Sequence, residues 1–323
     1  MFICNIFLLK QYVLKMKKLF LGAVILVSLL LGSQHTSAQY YFFDDTYFEQ
    51  DILYEGGFSV NAMNCLTDLG GKKGIGAKFI KDLNMGFTHL SGGVFFSMTY
   101  RNMVGLRLEG TFGRVSSRDN ILKGITDIAK ERFNRNLDFQ SNISEGVLMV
   151  EVQPLNIFID WPAKEKTPPR YSPYLLAGIG YYSFNPQTKL GNRMIDLKDL
   201  HTEGQGFPEY PDRKEYSLNQ INIPLGFGVK YEVHPLFNLR GEFVYRKLFT
   251  DYLDDLSSTY IDPSLFDKYL TPQQAINAKI LNNRQLENHA GPGGKRGTRT
   301  NNDGYFTFCI KASVVIGRER MKK

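Results

Sequence analysis

Several things are scarce in this chain. It has three cysteines, five histidines and one tryptophan in 323 residues. Only Cys65 and Cys309 follow the first apolar stretches. Two cysteines make no disulfide framework, and spacing alone leaves their pairing open. No apolar run after residue 38 is long enough for a membrane-spanning helix, which excludes a helical polytopic protein. The P-loop spacing is missing from "GPGGKRGT" and the EF-hand spacing from "DYLDDLSS". A true basic excess is lacking too. The formal net charge is +7. Lys10, Lys15, Lys17 and Lys18 fall within the first 38 residues, which hold no acid, so the rest of the chain carries only +3. A nucleic-acid partner loses its main support.

The N-terminus supplies a compartment. "MKKLFLGAVILVSLLLGSQHTSAQ" begins with two lysines, continues as an apolar run from Leu19 to Leu31, and ends in Thr36, Ser37 and Ala38. That order is a secretory signal peptide, residues 1–38, with Met16 as the expected initiator. A signal anchor is the rival, but the run is short for a span. No cysteine stands directly after the cleavage position, where Gln39 lies instead, which argues against a lipid-anchored mature protein. Residues 39–51 form a leader rich in aromatics and carboxylates.

Glycine and aromatic residues are abundant, with 30 Gly, 24 Phe and 18 Tyr. They sit in segments that alternate with period two, as strands require. In "INIPLGFGVKY", Ile221, Ile223, Leu225, Phe227, Val229 and Tyr231 share one face, while Asn222, Gly226 and Lys230 share the other. In "YFTFCIKASVVI", Phe306, Phe308, Ile310 and Val314 oppose Thr307, Cys309 and Lys311. Strands are expected near 53–63, 90–100, 104–114, 144–158, 173–184, 219–232, 236–249 and 304–316. Their polar faces combine glycine with charges of both signs: Arg107, Lys230, Arg240, Arg246 and Lys311 against Glu109, Glu145, Glu151 and Glu242. A near-balanced set suits a narrow, filled lumen in which charges pair. The expected fold is therefore all-β: a closed antiparallel transmembrane barrel of about eight strands over 52–317, in the outer membrane, with a basic tail at 318–323.

Connection lengths agree. "RNM", "EVHPLF" and "DWPAKEKTPPRYS" are short and alternate with long connections, as short periplasmic turns and long outer loops would. Trp161, Tyr171, Tyr174, Tyr100, Tyr231 and Phe237 fall at the short-turn end and read as an interfacial aromatic belt. "DNILKGITDIAKERF" and "TPQQAINAKILNNRQL" carry helix signals inside the long loops. In the second, Thr271 and Gln274 stand in capping-box positions around Pro272.

The acidic stretch "TDYLDDLSSTY" is the obvious candidate site. Asp251, Asp254 and Asp255 offer hard oxygen ligands of the kind Ca²⁺ takes. Asx and Ser contacts capping a turn explain them more simply, and the expectation is a scaffold: the aspartates tie to backbone N–H groups or to Arg296 and Arg299, with Glu203 in the same network. A lipid-modifying enzyme would need a histidine with a serine or aspartate partner near the rim. His201 stands beside Thr202 and Glu203, yet no nucleophile accompanies it. No catalytic residue, metal or cofactor is assigned.

"LHTEGQG", "DYLDDLSSTY" and "RGTRTNNDGYFTF", with the strands "RYSPYLLAGIGYYSFNP" and "IPLGFGVKYEV", together resemble the PorG family of outer-membrane proteins from Bacteroidota, over about residues 51–317. The resemblance implies a non-enzymatic component of the type IX secretion system, joined to a periplasmic ring of a PorK-like lipoprotein and PorN. It carries Thr202, Glu203, Gly204, Gln205, Gly206, Asp251, Tyr252, Asp254 and Asp255 over as structural motif positions. Tyr40, Tyr41, Phe42, Phe43, Tyr47 and Phe48 of the leader are candidate ring contacts. The alternative function is a small solute channel of porin type.

Overall fold

The computed structural model describes residues 50–69, 85–122, 128–159, 169–299 and 302–318. The signal segment, the leader aromatics Tyr40 to Phe48, Trp161 and residues 319–323 lie outside them.

The described residues form nine strands: β1 (Ile52–Leu66), β2 (His89–Tyr100), β3 (Val104–Arg118), β4 (Asp138–Val152), β5 (Tyr171–Leu190), β6 (Arg193–Asp196), β7 (Asn219–His234), β8 (Phe237–Lys247) and β9 (Gly304–Ile316). All pairings are antiparallel. The sequence β4-β3-β2-β1-β9-β8-β7-β5 closes through β4–β5, so eight strands make a barrel, and β6 only pairs with the outer end of β5. Closure matters because lipid offers no partner to an open strand edge. Between β2 and β3, Arg101 and Asn102 adopt φ of 46° and 52°, as a tight primed hairpin turn needs. Among the described residues four α-helices lie in the connections: α1 (Ile128–Arg135), α2 (Pro154–Phe158), α3 (Ser264–Tyr269) and α4 (Pro272–Asn282). At the start of α4 the Thr271 backbone N–H donates to Gln274 Oε1 at 3.2 Å.

The fourth strand corrects the expected 144–158. It runs from Asp138 to Val152, and Pro154 opens α2 instead. Proline has no N–H for a ladder but fits the first helical position. Upstream, "DFQSNIS" continues the alternation, with Phe139, Ser141 and Ile143 buried. Tyr174 is a second correction. It lies on the inward face of β5, 2% exposed, and belongs to the lumen, whereas Tyr100, Tyr171, Tyr231 and Phe237 stay exposed on the outside.

Both barrel faces change character at one level. Register places Leu108, Leu148 and Ile179 side by side on the outside. Two residues further out come Gly110, Gly146, Tyr181 and Ile221, then Phe112, Ser144, Ser183 and Asn219, then Arg114, Asn142 and Asn185, then Ser116, Gln140 and Gln187. Apolar rows thus give way to polar rows. The inside does the reverse. Glu55, Arg107, Glu151, Arg240, Glu242 and Lys311 are buried on the inner side of that level. Beyond it, Met63, Val115, Phe139, Ile143, Tyr182, Phe184 and Leu248 form an apolar core. β3 and β4 have 15 residues and β5 has 20, against the ~9–11 that cross a bilayer. The surplus projects outward. There it packs against Leu197, Leu200, Phe207, Leu253, Leu256 and Ile261 of the connections, Phe266 of α3, and Ala275, Ala278 and Leu281 of α4. We call this outer part the cap.

Candidate functional site

Strand parity aims ten charged side chains into the lumen: Arg107, Lys230, Arg240, Arg246 and Lys311, with Glu55, Glu109, Glu145, Glu151 and Glu242. Eight of them form one chain of contacts. Lys230 lies 3.6 Å from Glu55, and Arg240 bridges Glu55 at 2.7 Å and Glu151 at 3.0 Å. Arg107 pairs with Glu151, with Glu242 at 2.7 Å and with Glu109 at 3.4 Å. Lys311 closes the run on Glu109 and on Glu242 at 2.9 Å. Arg246 and Glu145 make a separate pair at 3.2 Å. Asn222 supports that pair by donating to Glu145 at 2.7 Å. Phe95 lies 5.2–5.3 Å from the charged ends of Arg107, Arg240 and Lys311, and the Tyr174 hydroxyl donates to Glu242. Rings thus fill the space between the ions.

Glu55 was missed by sequence reasoning. It lies in "YEGGFSV", where two glycines weaken the alternation. Counting parity from Leu53 and Ser59, both buried, would have found it. With Glu55 the inward set has five charges of each sign.

The cap assembles the conspicuous motifs. Glu203 accepts the backbone N–H of Ser257 at 3.1 Å and of Ser258 at 2.8 Å, and it pairs with Arg296 at 2.8 Å. Arg296 also donates to the Asp255 carbonyl at 2.8 Å. Asp255 accepts Thr202 Oγ1 at 2.5 Å, Tyr216 at 2.8 Å and Gln205 at 3.4 Å. Gln205 turns its oxygen to the Glu203 N–H at 3.0 Å. Gly204 and Gly206 have φ of +72° and +81°, which only glycine adopts freely, so "TEGQG" can double back on itself. Tyr252 stacks on Tyr216 at 4.9 Å. Arg299 departs from the expected network and pairs with Asp212 at 2.5 Å. His201 Nδ1 meets the Gln205 carbonyl at 2.6 Å, a loop contact.

Asp251 departs too. It is 6% exposed and pairs with no cation among the described residues; the Ser257 hydroxyl is close enough to oppose its rise. Asp254 accepts the Leu256 N–H at 3.1 Å and Asp303 the Leu253 N–H at 2.9 Å. Burial, then the neighbouring carboxylates Asp254 and Asp68, push Asp251 up to about 9. Burial and Asp68 raise Asp254, and burial, Asp254 and Asp251 raise Asp303, both well above the usual carboxylate range. Asp255 rises less, to about 6, because Arg296 and its donors oppose burial. Among the described residues, no group of three His, Cys, Asp or Glu side chains has a geometry that could hold a metal ion. Cys65 and Cys309 are both buried and free; Cys65 pairs in register with Tyr305, not with Cys309.

No family model and no curated protein matches the chain. Solved structures do. Ail, the attachment invasion locus protein of Yersinia pestis, is 10% identical over 82% of this chain and 97% of its own, with a TM-score of 0.33. The N-terminal β-barrel domain of Pseudomonas aeruginosa OprF is 10% identical over 83% and 98%, TM-score 0.31. The outer membrane protein W of E. coli is 12% identical over 81% and 98%, TM-score 0.30.

This chain is a small outer-membrane β-barrel. Its own geometry requires a bilayer, since a closed barrel with an apolar outside and a charged inside is stable only there. Among the described residues no helix is long and apolar enough to cross a membrane, and the strands do so instead.

Proposed function

We propose that the barrel is a non-enzymatic component of the type IX secretion system and links the periplasmic ring to the outer membrane. The observation that carries this reading is the convergence in one cap of the three motifs behind the family resemblance. Glu203 and Gln205 of "TEGQG", Asp255 and Ser257 of "DYLDDLSSTY", and Arg296 of "RGTRTNNDGYFTF" join in one buried network. A shared motif set that builds one structural unit is a stronger sign of kinship than separate matches. The filled lumen supports the reading from another side. With charges paired across the barrel, its work falls to its two ends. The leader residues Tyr40, Tyr41, Phe42, Phe43, Tyr47 and Phe48 are our candidates for the ring contact, because aromatics interspersed with carboxylates in the sequence suit a docking strip.

The test is a clean deletion strain together with affinity purification from membranes. Loss of the gene should trap type IX cargo in the envelope, and the purified barrel should bring the ring lipoprotein with it. Normal cargo secretion in the deletion strain would remove the role. Removal of residues 40–48 should leave the barrel in the membrane and weaken ring co-purification. Unchanged co-purification would remove the proposed contact and leave the role standing.

A further inference from the structure

The outer wall of β3, β4 and β5 holds a feature that the lumen and cap do not explain. Gly110 and Gly146 are register partners, both facing outward. A Cβ on Gly146 would meet nothing within 4 Å, and one on Gly110 only the Glu145 carbonyl at 4.0 Å. Neither glycine is required by a positive φ or by a close neighbour. Glycine inside a strand weakens it and often marks a place where a ligand approaches the backbone.

The surroundings define the ligand. Below the two glycines lie Leu108, Leu148 and Ile179, within the apolar belt. Val94 and Tyr181, 64% and 61% exposed, flank the pair in register, and Phe112, 64% exposed, stands above Gly110 on its own strand. Above lie Ser144, Ser183, Arg114, Asn142 and Asn185. Arg114 is exposed and donates to Asn142 Oδ1 at 2.9 Å through Nε, and among the described residues its Nη donors have no partner. The floor is flat, the lower edge is greasy, and the upper edge offers hydroxyls, amides and a guanidinium. It lies where the outside of the barrel turns from apolar to polar, at the headgroups of the outer leaflet. A flat ring bearing hydroxyls and a phosphate, attached to acyl chains, satisfies each edge in turn. Planar guanidinium groups suit phosphate.

We propose that the notch floored by Gly110 and Gly146 seats the phosphorylated-sugar headgroup of an outer-leaflet lipid of the lipid A class, with Arg114 on its phosphate. This reading is independent of the secretion role. Gly241 of β8 provides the control. It also faces outward with nothing within 4 Å of an added Cβ, but its neighbours in register are Val229 and Ile310, inside the belt.

The experiment titrates delipidated, refolded full-length protein in detergent and counts bound lipid by native mass spectrometry. The probes are bisphosphorylated lipid A, dephosphorylated lipid A, phosphatidylglycerol and inorganic phosphate. The wild type should take up one lipid A with at least tenfold preference over phosphatidylglycerol. Gly146→Leu should weaken this at least tenfold and Gly241→Leu should not. Arg114→Ala, an exposed change that spares the fold, should weaken phosphorylated lipid A and leave dephosphorylated lipid A unchanged. Equal uptake of phosphatidylglycerol, equal losses for Gly146→Leu and Gly241→Leu, or competition by millimolar inorganic phosphate alone would overturn the proposal. A protein dimer lost on Gly146→Leu, with lipid uptake unchanged, would show that a second copy covers the notch and would overturn it equally.

Discussion

The lumen and the cap both bury charge, but they handle it differently. Inside the membrane span, each of five carboxylates meets at least one of five cations, and Arg107 alone touches three. In the cap, Glu203 is matched by Arg296, yet Asp251, Asp254 and Asp303 make no ion pair among the described residues. In the lumen the charges lie at the membrane level, away from water and beside a small apolar cluster of Val147, Met149, Tyr174, Leu176 and Val244. A charge there is tolerable only when paired. The cap has an ordinary apolar core, so a few carboxyls can persist by holding protons. One region is stabilised by opposite charge and the other by the loss of charge, and the two should respond oppositely to perturbation.

Removing a lumen ion should give the largest effect. Arg107→Leu leaves Glu109, Glu151 and Glu242 short of a partner, and the barrel should lose on the order of 3–5 kcal/mol. Glu242→Leu strands Arg107 and Lys311 and should cost about the same. Urea titration of the refolded barrel in lipid, read by heat-modified mobility, checks both. An unchanged midpoint would break the comparison at its lumen side.

The matched part of the cap should respond next. Glu203→Gln weakens the bond to Arg296 and two backbone contacts, a loss of about 1.5–3 kcal/mol. Proteolysis of the 250–303 segment should speed up, while the barrel's own unfolding midpoint stays put. Parallel loss in both would show that cap and barrel do not respond separately.

The unmatched part should respond in the other direction. Asp251→Asn removes a buried group that must hold a proton, and should stabilise the cap by ~1 kcal/mol at neutral pH. The pH dependence follows from the shift. In the unfolded chain the carboxyl ionises near 4, and in the fold near 9. Between those values the unfolded state loses its proton first, so cap stability falls as pH rises from ~4 to ~9 and is greatest at acid pH. Hydrogen exchange of the cap amides should therefore quicken toward pH 9, beyond the intrinsic pH effect. Asp251→Asn should flatten part of that slope. An upward slope of stability with pH would contradict the account.

How much of this was legible beforehand depended on periodicity. β7, β8 and β9 alternate cleanly, and both the strands and the directions of Lys230, Arg240, Glu242, Arg246 and Lys311 could be read from them. Glu55 was hidden by two glycines that carry no sidedness. The start of β4 was hidden because its outward residues Gln140, Asn142 and Ser144 lie above the membrane, where an outward face turns polar and the inward face apolar. The cap core could not be read at all. Leu197, Phe207, Leu253 and Ile261 come from irregular loops, where no period says which way a side chain points. The Glu203–Arg296 pair was readable as chemistry, since one acid and one base shared the same set of motifs. The isolation of Asp251 was not, because it depends on what the surrounding fold leaves out of reach.

The central claim is that the lumen is filled by paired side chains and that the barrel works through its ends. Planar-bilayer recording of the purified, refolded protein tests this directly. The account predicts a silent membrane for the wild type, with no steady ohmic steps. Reproducible single-channel steps from wild-type protein would contradict it and return the solute-channel reading to first place.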